Sequence, residues 1–473
     1  MSENGDRKKL VKNSALMFIG QFASKVLVFF LVPFYTSVLS TEEYGISDLL
    51  VTTSNMTYPF FTLMISTAIL RFCLDKTGDP YEIFSAGLWV DLAGYVLLMA
   101  VSFVFFPFVM EQKFLPYFLV YYFVYAINAL LLNFLRGINN VKMYSISGVL
   151  HTVLLISSNL LLLLVFKLGI IGYLLSMIFS IGIVDVIVLI KTKIVKRIIL
   201  PWNIDKRLLR GMIKYCIPLI PNQMSWWIND SSDRYIMNIY RTTSELGVYS
   251  ASYKIPAIIS TTMTIFNGAW EISAVDDFGS ERNRKFFSET FEQYLHILVV
   301  VSTFVLVFLR PIAKLLLRKD FYTAWLFVPA LLYATLFHGL SGFIGTIFTT
   351  AKKTNMIFLT TILGASANIV LNFCLIPNYG AQGAAIATAA GYIVTFVSRF
   401  VFSRKIMTLI VSYKCDLLVL ALLLTACFLA CYNTITSLGL CVIILLIEVK
   451  FVCKLLSTLF GIVRKAYESH KEC

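Results

Sequence analysis

Apolar residues run along this chain in blocks of about twenty, separated by short polar breaks. A bilayer core about 30 Å thick needs about 20 mostly apolar residues per helix. Fourteen runs meet that requirement, near residues 14–37, 46–70, 84–107, 114–135, 144–166, 170–190, 212–238, 247–270, 290–309, 324–349, 355–375, 382–402, 412–431 and 435–458. Polar and apolar positions do not alternate within them as they would in barrel strands; LLLLLVFKLGIIGYLLSMIF is apolar on every face. The pattern predicts an all-α, polytopic membrane protein with about 14 transmembrane helices. Glu448, Lys450 and Lys454 interrupt the last run, which reads as a short span continuing as an interfacial helix.

Composition agrees with the pattern. The chain has 473 residues, 58% hydrophobic and 14% charged, and a mean hydropathy of +0.80. A soluble domain carries about 25% charge, so there is too little here to cover a wetted surface. A secreted disulfide scaffold, a nucleic-acid-binding domain and most soluble enzymes are excluded. The net charge of +14 sits in short clusters between the runs, where it sets topology. With the N-terminus in the cytoplasm, inner loops and tails hold 26 Lys and Arg and the outer ones hold 8, so both termini are expected inside. The first run is read as a retained span, because no small-residue cleavage site follows its basic flank. The nine Cys show no paired or metal-ligand spacing and read as small apolar residues. Arg310, Lys314 and Arg318, four apart in an outer segment, are expected on one face of an interfacial helix. The longest polar stretches, 191–211 and 271–289, are too short for a core of their own. Function therefore lies within the helix bundle.

The chain also repeats itself. Residues 136–183 and 349–394 share a basic loop, a long span, a G-x-x-G turn and a second span. The turn glycines are Gly169 and Gly172 in one copy, Gly380 and Gly383 in the other. STEEYGISD (40–48) likewise matches TSELGVYSA (243–251), aligning Gly45 with Gly247. A duplicated six-span unit followed by two extra spans is expected: an N-terminal lobe over 1–200, a second over 201–405, and two C-terminal helices with a tail over 406–473. Two similar halves with a seam between them favour alternating access, hence transport.

Ionisable groups inside spans are costly unless they face a cavity or a partner. Lys25 lies halfway along the first run and Lys254 about two turns into the eighth. Together they suggest a cationic seam suited to phosphate, which takes charge-assisted hydrogen bonds. Asp48, Asp91, Asp230 and Asp233 are candidates for ion coupling or ion pairing. Asp230 and Arg234 are i,i+4 and can pair, whereas adjacent Asp233 and Arg234 are expected to point apart. Asp48 and Arg399, near span ends, are expected to be solvated. No H-E-x-x-H, P-loop or G-x-S-x-G motif is present. The chain is thus not expected to be an enzyme, and neither a cofactor nor a metal is implied. Its driving force would be an H+ or Na+ gradient, the membrane potential or the substrate's own gradient.

Several segments carry a family resemblance: LVKNSALMFIGQFASKVLVFFLVPFYTSVLSTEEYGISDLL (10–50), SDRYIM (232–237), ELGVYSASYKIP (245–256) and LLLRKDFYTAW (315–325). In order and spacing they resemble polysaccharide-biosynthesis flippases of the Wzx type, in the multidrug/oligosaccharidyl-lipid/polysaccharide (MOP) exporter superfamily. The resemblance implies two six-helix lobes of MATE-like fold around a central cavity, in a bacterial plasma membrane. It implies movement of an undecaprenyl-pyrophosphate-linked oligosaccharide between leaflets for surface polysaccharide such as O-antigen or capsule, with membrane lipids and a polysaccharide polymerase as partners. Lys25, Lys254 and Arg234 would be the cationic positions. Alternatives are a MATE-type small-molecule/cation antiporter and a lipid II flippase. A membrane glycosyltransferase or polymerase would need a large outer loop, which the chain lacks.

Overall fold

The computed structural model describes residues 27, 29–273, 281–410, 413–449 and 451. Among them every regular element is helical. In chain order these are α1 (Val32–Val38), α2 (Thr41–Phe61), α3 (Ile65–Leu74), α4 (Pro80–Phe105), α5 (Leu115–Gly137), α6 (Val141–Asn159), α7 (Gly169–Thr192) and α8 (Lys206–Cys216). There follow α9 (Leu219–Tyr240), α10 (Thr243–Ser252), α11 (Ala257–Ser273), α12 (Glu281–Val307), α13 (Leu309–Leu316), α14 (Val328–Thr350), α15 (Thr354–Ser403) and α16 (Tyr413–Ala430). The last described helix is α17 (Thr434–Val449). Seven helices among the described residues are long and apolar enough to cross a bilayer, and the bent pair α2–α3 makes an eighth. The chain is a multi-pass membrane protein.

Local chemistry explains several boundaries. Ser40 Oγ accepts the Glu43 amide at 3.1 Å while Glu43 Oε2 accepts the Ser40 amide at 2.9 Å, a reciprocal cap that starts α2. Thr242 Oγ1 caps α10 through the Glu245 amide at 3.2 Å. The two runs expected at 355–375 and 382–402 are the two helices that make up α15, parted at Gly380, whose φ of 53° and ψ of −134° leave the helical region. The run near 46–70 bends by 59° between α2 and α3. Leu63 and Met64 sit there at φ 50° and 55°, and Pro59 just before them removes a backbone donor.

The described chain divides into two compact units. The first contains the helices through Lys254 together with Leu315–Thr323 and Ile369–Ala384. Its core gathers Ile69, Phe84, Leu131, Phe134, Val188 and Met212, from α3, α4, α5, α7 and α8. Residues 206–254 thus pack within this unit.

Within it the repeated segments meet each other. Thr41 Oγ1 and Ser244 Oγ lie 2.7 Å apart. A methyl built on Gly45 would strike the Thr243 carbonyl, and one on Gly247 would strike that of Thr41. The contact is reciprocal, so α2 and α10 cross about a local two-fold axis, as in an isologous interface. Both copies also clamp their G-x-x-G turn identically. Glu43 Oε1 accepts the Ile170 amide at 3.0 Å, and Glu245 Oε1 accepts the Ala381 amide at 2.8 Å. The preceding glycines, Gly169 and Gly380, both have φ of +53°, a conformation that disfavours any Cβ.

The second unit comprises Ile255–Lys314, Ala324–Asn368 and the described chain from Ala385 onward. Aromatic rings fill its centre, with Phe266 stacked on Tyr294 at 4.2 Å and Trp270 on Phe343 at 4.5 Å. Arg399 corrects the sequence reading: it is 1% exposed, not solvated. It donates to the Ser341 carbonyl at 2.8 Å, Thr361 Oγ1 at 2.9 Å and Thr360 Oγ1 at 3.2 Å. Glu448 lies at the end of the described part of α17, a short apolar helix. It is buried and pairs with His296 Nδ1 at 2.9 Å, while Asp416 lies 3.8 Å from Nε2 of the same ring. Lys450 and Lys454 lie outside the described residues. Arg318 departs from its expected helical face as well. It lies beyond the end of α13, and its amide donates to Thr36 Oγ1 at 3.1 Å in the first unit.

Candidate functional site

The charged residues of the first unit converge where α9 and α10 pack on α2. Arg234 is 9% exposed and Asp233 1%. Arg234 Nε donates to Asp48 Oδ2 at 2.7 Å, and Nη1 donates to the Asp230 carbonyl at 2.8 Å. Nη1 also meets Asp233 Oδ1 at 3.3 Å. Adjacent residues therefore do pair here, against the helical-face expectation. The Arg234 side chain is long enough to fold back along its own helix, and the Asp233 carboxylate also takes the Arg234 amide at 2.8 Å. Asp48 is not solvated near a span end, because it accepts from Arg234 and from Ser250 Oγ at 2.7 Å.

Two tyrosines complete the cluster. Tyr249 Oη donates to Asp233 Oδ2 at 2.5 Å and Tyr253 Oη at 3.1 Å. The Tyr253 ring also lies under the Arg234 guanidinium, 4.8 Å from centroid to Cζ, a cation–π contact. Lys254, half-buried in the turn after α10, acts electrostatically on Asp48 and on Tyr173 of α7. Two Asp face one Arg and one Lys in this cluster, so their formal charges balance. Such a cluster holds helices together, and its Arg234 guanidinium is not a bare cation.

One turn along α9 the chain opens onto a cavity of about 330 Å³. Asn55, Tyr58, Pro59 and Met64 line it from α2 and the bend, Tyr125 from α5, and Gln223, Trp226, Trp227, Asp230 and Ser231 from α9. Asn55, Gln223 and Asp230 are exposed. Polar side chains exposed within spans are tolerated where they meet a water-filled hollow, not lipid. Asp230 is the one Asp, Glu, Lys or Arg among these lining residues.

The family model described as polysaccharide biosynthesis protein matches residues 10–270, more than half of the chain. The chain belongs to that family. No curated protein matches the sequence. Among solved structures, the fold is similar to a lipid II flippase MurJ in an inward closed conformation. The identity is 15% and the TM-score 0.68, over 93% of this chain and 100% of that one. It is also similar to an inward-facing MATE multidrug resistance transporter of the MOP superfamily, at 13% identity and TM-score 0.65, covering 80% and 94%. A MOP superfamily transporter from Pyrococcus furiosus matches at 16% identity and TM-score 0.55, covering 84% and 94%. This member of the polysaccharide biosynthesis family thus has a fold like those of MurJ and the MATE transporters.

In this family member the structure joins some of the residues singled out by sequence and separates others. Asp48, Asp233 and Arg234 share one cluster with Lys254 at its edge. Asp230 turns to the cavity. Asp91 lies apart in α4, 4% exposed, and neither of its oxygens has a hydrogen-bond partner among the described residues. Lys25 lies outside the described residues. Sequence reasoning missed Tyr249, Tyr253 and Ser250 as partners of the acids, and Trp226 and Trp227 as cavity walls. The signal for Ser250 was available, since the repeat aligns it with Asp48.

Proposed function

We propose that this protein is a lipid-linked oligosaccharide flippase, moving an undecaprenyl-pyrophosphate-linked glycan across a bacterial plasma membrane by alternating access. The family match over residues 10–270 carries the reading. The polar-lined hollow between α2, α5 and α9 supports it, because a glycan head group needs polar surroundings away from lipid. Lys254 and Lys25 are the residues assigned to the pyrophosphate. Arg234 is assigned a positioning role, since Asp48 and Asp233 already engage its guanidinium. The protein would act in transport and not in catalysis, drawing on an H+ or Na+ gradient, with Asp91 as a candidate carrier of the coupling ion. Both termini would face the cytoplasm, and the exported glycan would pass to a polysaccharide polymerase.

A second reading, a small-molecule cation antiporter, is favoured by one observation: the cavity wall carries Asp230 and four aromatic residues but no Lys or Arg. Depletion in the native host distinguishes the two. The flippase reading expects a lipid-linked glycan to accumulate in the inner leaflet and surface polysaccharide to fall. Intact surface polysaccharide with no accumulated intermediate overturns it.

A further inference from the structure

We propose that the cavity at the α2–α3 bend is a sugar-ring site, holding one pyranose of the glycan while Lys254 takes its phosphates. This inference rests on the flippase reading and names the part of the substrate that the cavity takes.

The size of the hollow fits. About 330 Å³ is at the small end of ligand pockets, which run from roughly 300 to 1,000 Å³. It suits a single ring and not a chain of them. Its chemistry fits better still. A pyranose has apolar C–H faces and an equator of hydroxyls that both donate and accept. Tyr58, Tyr125, Trp226 and Trp227 supply aromatic surface from three elements, and their negative π faces attract polarised C–H bonds. Asn55, Gln223 and Ser231 each offer a donor and an acceptor, and Asp230 offers acceptors alone. This combination matches hydroxyls that must be satisfied in both directions.

Other occupants fit less well. A phosphate would meet Asp230 with no Lys or Arg in the wall to offset it. An organic cation would be welcome to Asp230 and the rings but would leave the Asn55 and Gln223 N–H donors unmatched. The Trp227 Nε1 donor, which is buried without a hydrogen-bond partner among the described residues, adds to that mismatch. The backbone supplies independent support. α2 breaks beside the cavity, and Leu63 and Met64 hold left-handed φ values without being glycine. Such strain concentrates at binding sites, and interrupted membrane helices line substrate sites in transporters. Finally, α9 carries both functions one turn apart. Asp230 lines the cavity while Arg234 reaches Asp48, so a ring in the cavity would lie next to a head group near Lys254.

The test uses the full-length protein in nanodiscs. Tryptophan fluorescence is titrated with methyl glycosides of neutral hexoses and N-acetylhexosamines, with inorganic pyrophosphate and with tetraphenylphosphonium. At least one glycoside should bind saturably, and Gln223→Ala and Asp230→Asn should each weaken it by about tenfold, the loss expected for one hydrogen bond. Both positions are exposed, so the variants should fold normally, as size-exclusion profiles would verify. Pyrophosphate binding should be unchanged by Gln223→Ala. Saturable tetraphenylphosphonium binding that requires Asp230, with no glycoside bound, overturns the proposal. So does wild-type glycoside binding and glycan export by both variants, an outcome that leaves the flippase reading standing. If depletion leaves surface glycan intact, the flippase reading fails, and the glycoside titration still decides the cavity.

Discussion

Arg234 and Asp48, 186 residues apart in sequence, meet at 2.7 Å through Nε and Oδ2. Their side chains are 11% and 23% exposed, so the pair is largely shielded from water. Removing one partner of a buried pair costs about 3–5 kcal/mol, because a charge is stranded. Arg234→Ala should therefore lower the melting temperature in detergent markedly and reduce the yield of monodisperse protein. Combining it with Asp48→Asn should restore part of the loss, since less charge is left unmatched. A double variant no more stable than Arg234→Ala alone would show that Asp233, not Asp48, is the partner that matters.

Tyr249→Phe deletes the donor that meets Asp233 Oδ2 at 2.5 Å. Asp233 Oδ2 keeps Tyr253 as a donor, so the loss is that of one hydrogen bond to a charged group, about 1.5–3 kcal/mol. Tyr253→Phe should cost less, because its hydroxyl contact is longer at 3.1 Å and its ring stays under the guanidinium. Thermal unfolding of the two single variants checks the order.

Gly45→Ala and Gly247→Ala should each destabilise by about 1–3 kcal/mol or more, since the added methyl meets backbone that has nowhere to yield. Gly148 and Gly342 are the controls. They are helical glycines with open space where a Cβ would go, so alanine there should be neutral or stabilising by up to about 1 kcal/mol. Equal stability of all four variants would argue against the close crossing of α2 and α10.

Alanine at Gly169 or Gly380 should cost about 1–2 kcal/mol from the left-handed backbone alone. Glu43→Gln and Glu245→Gln keep an acceptor for the Ile170 and Ala381 amides and should be mild. The corresponding alanine variants should be worse than the glutamines. Heat-stability profiles of the six proteins would show whether the two halves respond alike.

Lys254→Ala should abolish glycan export while leaving membrane insertion and thermal stability near wild type, because the half-buried ammonium has no direct ion pair among the described contacts. Surface polysaccharide measured beside protein level gives the answer. Normal export would remove Lys254 from the mechanism.

Periodicity made the helical class and most span positions legible, since hydrophobic length alone decides what can cross a bilayer. The matched turns were legible too, down to Gly45 opposite Gly247, because turns and caps need particular residue types. Side-chain reach was not. Adjacency suggested that Asp233 and Arg234 point apart, yet a long guanidinium stem bends back to its neighbour. Position along a run suggested that Asp48 and Arg399 are wetted, yet one finds an arginine from another helix and the other a nest of hydroxyls and a carbonyl. Such pairings depend on how helices rotate against each other, which no single run encodes. The cavity was hidden for the same reason, its walls coming from stretches more than 150 residues apart.

Glu43 and Glu245 are matching fasteners, each closing on its own glycine turn. Either can be loosened while the other stays shut. The molecule thus carries its own internal control: a lesion at one clasp that harms the protein where the same lesion at the other does not would show that the two matched segments do different work.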